Sequence, residues 1–229
     1  MRVVLTNDDG VDAPGLAALE RAAAVLGATL VVVAPAECHS GCGHRVTTRA
    51  GIRIDDVGPG RFRVAGTPAD CVRIALAKLV PDATLVLSGI NAGGNLGADI
   101  HHSGTVAAAR EAVLHGVPAI AASQYHRAGQ PIDWSRSARW VADVLADLRG
   151  RSVAPGEFWN VNLPDLPADA ADPPAVDCAV DGSPFGLGYR LTAEGWAYES
   201  SYHERPRVPG GDIDVCFGGG IAVSRVRAV

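Results

Sequence analysis

Short runs of continuous apolar residues recur along this chain, with helix-like segments between them. Val3–Thr6, Thr29–Val33, Ala83–Leu87 and Ala119–Ala122 read as strands with little polar character on either side. A strand that is apolar on both faces must be covered on both, and a parallel sheet with crossover helices does this. The intervening segments supply those helices. Pro14–Leu26 places Leu16, Leu19, Ala23 and Leu26 on one face, with Pro14 suited to an early helical position. Pro68–Leu79 is entered through Thr67, a good N-cap, and Thr105–Leu114 and the amphipathic Ile132–Leu148 follow. Ile52–Val57 and Arg61–Val64 alternate as a hairpin around Gly58-Pro59-Gly60. The expectation is an α/β fold with a doubly wound, mostly parallel, Rossmann-like sheet.

After Phe158–Leu163 the texture changes. Pro164 to Pro174 is rich in Pro, Asp and Ala and reads as a loop, and Val180–Ser200 reads as a C-terminal β-hairpin extension. Gly218-Gly219-Gly220 leads into a last strand, Ile221–Val226. The expected organisation is a core over residues 1–165, with residues 166–229 forming the hairpin extension and last strand, packed on the core or on a partner subunit.

With 229 residues and 48% hydrophobic content, the chain can bury a substantial core. Its 25 acids and 20 bases leave a net charge of −5, and no basic stripe with interleaved aromatics appears, which argues against a nucleic-acid duplex as partner. A small phosphorylated ligand is compatible, because a local site can oppose the net charge. Lys78, the one lysine, lies in no glycine-rich context, so a Walker A loop is excluded. No secretion signal and no span-length apolar run are present. Five cysteines without such a signal imply reduced thiols and a cytoplasmic setting, with no membrane partner.

The chemistry gathers where strands end. Val3–Thr6 runs into Asn7-Asp8-Asp9-Gly10, two adjacent carboxylates and a glycine that permits a turn. Like charges there become favourable around a cation, since hard divalent ions take oxygen ligands; the alternative is a solvated acidic turn. The second strand is followed by Glu37-Cys38-His39-Ser40-Gly41, and Ala83–Leu87 by a glycine-rich loop from Gly89 to Gly104 that carries Asn91 and Asn95. Ser103-Gly104-Thr105 starts a helix, whose free N–H groups suit a phosphate or an ordinary N-cap. In a doubly wound sheet these loops share one rim, where ligands bind.

Other readings fit less well. A receiver module needs an acceptor aspartate after the third strand, where Ser88, Gly89 and Asn91 stand. A dinucleotide binder needs Gly-x-Gly-x-x-Gly after the first strand, which Asn7–Gly15 lacks. Cys38, His39, Cys42 and His44 invite a structural zinc, although their spacing is cramped and no second pair lies nearby.

The blocks Thr6-Asn7-Asp8-Asp9-Gly10-Val11, Val33-Ala34-Pro35 with Ser40-Gly41, and Gly66-Thr67-Pro68-Ala69-Asp70-Cys71-Val72 resemble those of the SurE family, phosphatases that act as 5′/3′-nucleotidases. Ser88-Gly89-Ile90-Asn91, Asn95-Leu96-Gly97, Ser103-Gly104-Thr105-Val106-Ala107-Ala108-Ala109 and Asn160-Val161-Asn162-Leu163-Pro164 extend the resemblance over about residues 1–165. It implies one divalent metal ion per subunit, such as Mg²⁺ or Mn²⁺, held by Asp8, Asp9, Ser40 and Asn91. Asp8, Asp9 and Asn91 would then be the catalytic residues, and Asn95, Ser103, Gly104 and Thr105 would bind the substrate phosphate. The implied reaction is metal-assisted hydrolysis of a phosphomonoester, most naturally a nucleoside 5′- or 3′-monophosphate, by a homodimer or homotetramer. His102, beside the phosphate loop, is a candidate general acid. The chain departs from the family pattern at Cys42-Gly43-His44-Arg45, where a second small hydroxyl residue is common, at Glu111-Ala112, and in its short C-terminus. Arg45 is then either a phosphate contact or an exposed side chain. These departures leave room for a specialised phosphatase on another small ester, or for a catalytically degenerate phosphate- or nucleotide-binding protein of the same fold.

Overall fold

The computed structural model describes residues 1–127, 129–184, 186, 188–199 and 202–229. Its centre is a nine-stranded sheet. The first strands and helices are β1 (Arg2–Thr6), α1 (Pro14–Ala23), β2 (Thr29–Pro35), β3 (Ile54–Gly58), β4 (Arg61–Val64) and α2 (Pro68–Ile74). They are followed by β5 (Leu85–Ala92), α3 (Gly104–Leu114), β6 (Ala119–Gln124), α4 (Trp134–Leu148) and β7 (Glu157–Leu163). The last elements are β8 (Ala175–Cys178), β9 (Tyr189–Thr192), β10 (Gly195–Tyr198), α5 (Asp212–Phe217) and β11 (Ile221–Arg227).

Strand order in the sheet is β3-β4-β2-β1-β5-β6-β7-β11-β8. β1 lies parallel to both β2 and β5, with Val3 opposite Leu30 on one side and Leu85 on the other. The chain therefore builds outward from β1 in one direction through β2 and β4, then returns to build through β5, β6 and β7 in the other. The crevice between β1 and β5 is the topological switch point. Val3 and Leu5 pack with Leu16 and Leu19 of α1 and Val141 and Val144 of α4. Val4 packs on the opposite face with Val72 of α2 and Val106 and Ala109 of α3. This two-sided burial explains the unbroken apolar strands and confirms the doubly wound α/β sheet.

Thr67 caps α2 reciprocally: its hydroxyl accepts from the Asp70 amide at 3.2 Å, and Asp70 Oδ2 accepts from the Thr67 amide at 3.0 Å. The helix widens into a π-turn over Ala75–Leu79, and α1 ends in a tighter 3₁₀ turn over Ala24–Leu26. β2 continues through Ala34 and Pro35, pairing Pro35 with Val64, rather than stopping before them. The stretch read as a loop from Gly89 begins as strand: Asn91 and Ala92 of β5 pair with Ser123 and Gln124 of β6 after a local irregularity. A 3₁₀ turn over Gly97–His101 then leads into α3.

β11 runs antiparallel to β7, and β8 pairs with β11 at the sheet edge. β9 and β10 form a separate antiparallel hairpin, with Gly195 opposite Thr192. Phe185, Leu187 and Ser200, within the stretch read as the hairpin extension, lie outside the described residues. Among the described residues no helix is long and apolar enough to cross a membrane.

Candidate active site

Asp8 and Asp9 follow β1 at the switch point. Asp8 is 3% exposed, and its side chain is held against the start of α3. Thr105 donates its hydroxyl to Asp8 Oδ1 at 2.5 Å, and the amides of Gly104 and Thr105 add hydrogen bonds. Burial pushes the Asp8 carboxyl above the ordinary carboxylate range; these hydrogen bonds, rather than a cationic side chain, oppose the shift. Asp9 is half-buried. Burial and then the neighbouring Asp8 charge raise its pKa, against an Ala92 N–H that donates to Oδ2 at 3.3 Å.

Packing at this point is close. A Cβ on Gly104 would stand 2.8 Å from Asp8 Cβ and 3.1 Å from Cys42 Sγ. A Cβ on Gly15 would stand 2.0 Å from the Ile90 carbonyl, so α1 can approach the end of β5 only because that residue is glycine.

Ser40 is exposed, in the loop after β2, and its hydroxyl lies 3.1 Å from Cys38 Sγ. The loop reaches the acid pair through His39, whose N–H donates to the Asp8 carbonyl at 2.7 Å, and Gly43 N–H donates to the His102 carbonyl at 3.0 Å. Farther along, His44 Nε2 meets Glu111 Oε2 at 2.6 Å. Asn91 is half-buried, its amide donating to the Gly93 carbonyl at 2.8 Å, and the next residue, Ala92, contacts Asp9.

Of the residues assigned to phosphate, Gly104 and Thr105 stand beside Asp8. Ser103 caps α3 by accepting from the Val106 amide at 3.0 Å. Asn95 is turned toward β6 and β7: its side chain donates to Ser123 Oγ at 2.7 Å, and its amide donates to Asn162 Oδ1 at 2.7 Å. Asn160 and Asn162 donate to the Asn95 carbonyl at 2.9 and 3.1 Å. The strand asparagines therefore fix the loop backbone, a role legible only as an alternation of buried polar residues.

The far end of the chain fixes this loop from outside, and no sequence motif announced it. Arg205 donates to Asp99 Oδ2 at 2.9 Å and to the Leu96 carbonyl at 3.0 Å. Tyr202 donates to Asp99 at 2.6 Å, and buried Asp212 accepts from the Gly97 amide at 2.9 Å.

The donor chemistry around Asp8 and Asp9 fits a hard cation. Two carboxylates, a hydroxyl on the adjoining loop and a strand-end amide offer oxygen ligands and a charge of −2. Asn7 Oδ1 and Ser88 Oγ are buried beneath the same rim with no hydrogen-bond partner among the described residues. Among the described residues no cluster of three or more His, Cys, Asp and Glu side chains is placed for a metal, and His44 is committed to Glu111.

Fold and site together define an α/β protein with an acidic oxygen-donor site at the switch point of a doubly wound sheet. The chain belongs to the SurE family: the family model for Survival protein SurE matches residues 3–178. Over 227 residues it is 48% identical to a protein of Nostoc sp., covering 99% of this chain and 100% of that one. It is 46% identical over 169 residues to the 5′-nucleotidase SurE of Rhizorhabdus wittichii, covering 72% of this chain and 66% of the relative. The crystal structure of the SurE protein from Aquifex aeolicus superposes with a TM-score of 0.86 at 29% identity, covering 100% of this chain and 94% of that one.

Proposed function

We propose that this chain is a divalent-metal-dependent phosphomonoesterase that hydrolyses nucleoside 5′- or 3′-monophosphates to nucleoside and phosphate. The observation that carries the reading is the Asp8–Asp9 pair: adjacent carboxylates at the switch point, one buried, with no cationic side chain among the described residues offsetting the burial. Membership of a family whose named relatives include 5′-nucleotidases supports the nucleotidase part.

Asp8, Asp9, Ser40 and Asn91 would hold one ion, Mg²⁺ or Mn²⁺. The chemistry such an ion supplies is Lewis-acid polarisation and neutralisation of charge developing on the phosphoryl group. The protein's part is positioning. Thr105 and the α3 amides hold Asp8 in one orientation, and the Ala92 amide does the same for Asp9. Asn91 and the loop running to Asn95 are held against β7 by Asn162 and against the core by Arg205 and Asp212. Ser103, Gly104, Thr105 and Asn95 would bound the space for the remaining phosphoryl oxygens, and His102, exposed next to them, would serve the leaving oxygen.

The reading includes cytoplasmic location, supported by five free thiols, and self-association. The β9–β10 hairpin leaves Tyr189, Leu191, Trp196 and Tyr198 between 56 and 70% exposed, an apolar surface of the kind that a second copy covers.

The test is AMP hydrolysis with and without chelator. Activity should vanish on chelation and return with Mn²⁺ or Mg²⁺, whereas full turnover in chelator removes the metal from the reading.

A further inference from the structure

One strand over from the acid pair lies a cleft of about 330 Å³ at the carboxyl ends of β2 and β4, and two arginines stand in its walls. Glu37, His39, Arg45, Thr47, Arg53 and Thr67 supply its polar lining. The cleft and the acid pair share a loop. His39 lines the cleft while its amide donates to the Asp8 carbonyl at 2.7 Å, and Ser40 follows directly. Gly10, which turns the chain after Asp9, packs against the same loop, since a Cβ there would stand 3.8 Å from the Glu37 carbonyl carbon. One wall therefore separates the two sites.

One of the two arginines is uncommitted. Arg45 is exposed, and its guanidinium makes no ion pair among the described residues. Its backbone is nevertheless anchored, because Thr67 donates its hydroxyl to the Arg45 carbonyl at 2.6 Å. Arg53 meets Asp55 at 3.3 Å with both side chains well exposed, a contact that water and ligands displace readily. Thr47 is engaged twice by Asp70, at 2.8 Å each, which steadies the loop between the arginines. Among the described residues that line the cleft Glu37 is the acid, and Asp70 stands behind Thr47. In a chain of net charge −5, two guanidiniums thus stand beside the acid pair, with Glu37 in the wall and Asp55 against Arg53.

We infer that the cleft receives a second anionic group of the substrate. The preferred ester would then be a nucleoside bisphosphate, with one phosphate at the acid pair and the other, uncleaved, between Arg45 and Arg53. Planar guanidiniums match phosphate oxygens in paired hydrogen bonds, and an arginine without an acid partner gives up none to form them. The inference rests on the phosphomonoesterase reading of the neighbouring site.

The experiment compares kcat/KM for AMP and adenosine 3′,5′-bisphosphate in the wild-type protein and in an Arg45→Gln/Arg53→Gln variant. Wild type should favour the bisphosphate by about tenfold, mainly through KM, and the variant should bring that ratio close to one. A wild-type ratio near one, or a preference that survives in the variant, overturns the inference. Calorimetric binding of the bisphosphate provides a readout independent of turnover. It should weaken about tenfold in the variant, and equal binding overturns the inference even if neither nucleotide is hydrolysed. Absence of hydrolysis with both nucleotides, alongside weakened binding in the variant, would sink the phosphomonoesterase reading and leave the anion cleft standing.

Discussion

Thr105 Oγ1 stands 2.5 Å from Asp8 Oδ1, joining the end of the first strand to the start of a helix 97 residues later. Two loops that are remote in sequence are thereby held as one rim. The bond also opposes the burial that disfavours the Asp8 anion, so Thr105 both orients that carboxylate and favours its charged form.

Thr105→Val keeps the shape of the side chain and deletes the donor. A hydrogen bond to a charged group contributes about 1.5–3 kcal/mol, so kcat/KM for AMP should fall roughly 10- to 100-fold. Mn²⁺ affinity by calorimetry should fall with it, and Thr105→Ser should recover most of both. Unaltered metal binding in the valine variant would show that Thr105 does not organise Asp8.

Asp9→Asn removes one of two adjacent anions. Both carboxyls sit above their ordinary range, Asp8 through burial and Asp9 through burial and then the Asp8 charge. Their ionised forms therefore oppose folding at neutral pH in the absence of a cation. Without metal, the variant should melt at or above the wild-type temperature while hydrolysing no AMP. Mn²⁺ should raise the wild-type Tm by mass action and leave the variant where it was. An equal Mn²⁺ shift in both proteins would count against the acid pair as ligands.

Gly104→Ala separates activity from stability. Alanine favours helix by roughly 1 kcal/mol, but its methyl would stand 2.8 Å from Asp8 Cβ and 3.0 Å from Oδ2. The net stability change should stay within about 2 kcal/mol, whereas AMP turnover should drop at least about tenfold as Asp8 is displaced. Denaturant unfolding and turnover measured on one preparation decide this.

Glu111 contributes to acid stability. Burial opposes its ionisation, yet hydrogen bonds with His44, Arg73 and His115 prevail and hold its pKa at about 2, below the ordinary 4.5. A carboxyl depressed in the fold contributes stability that is fully present above the unfolded value and is lost as pH falls through the folded one. That contribution, on the order of 3 kcal/mol, should disappear between about pH 4.5 and 2, and Glu111→Gln should flatten this part of the stability curve. A wild-type slope retained in the glutamine variant would assign the acid transition to other groups.

The sheet was legible because its strands are apolar on both faces, so Val3–Thr6 or Ala119–Ala122 admits few alternatives. Strand ends were less so. Ser88, Gly89 and Asn91 carry turn-forming chemistry, but β6 offers partners that keep Asn91 and Ala92 in the ladder. β8 and α5, of four and six residues, are too short to show a period and form only against β11 and its surroundings. At the site, the adjacent acids and the Ser103 cap could be read from local pattern. The Arg205–Leu96 and Asp212–Gly97 contacts could not, because single polar residues in a loop-rich segment look like solvated surface until the fold brings them inward.

Those last contacts impose an order on events. The acids of the site lie far upstream of Tyr202, Arg205 and Asp212, which close the loop opposite them. A growing chain can pair β1 with β2 and β5 long before those residues exist. The site therefore matures only once those residues are made, and a fragment cut before Tyr202 would keep the central strands while holding this loop from one side alone.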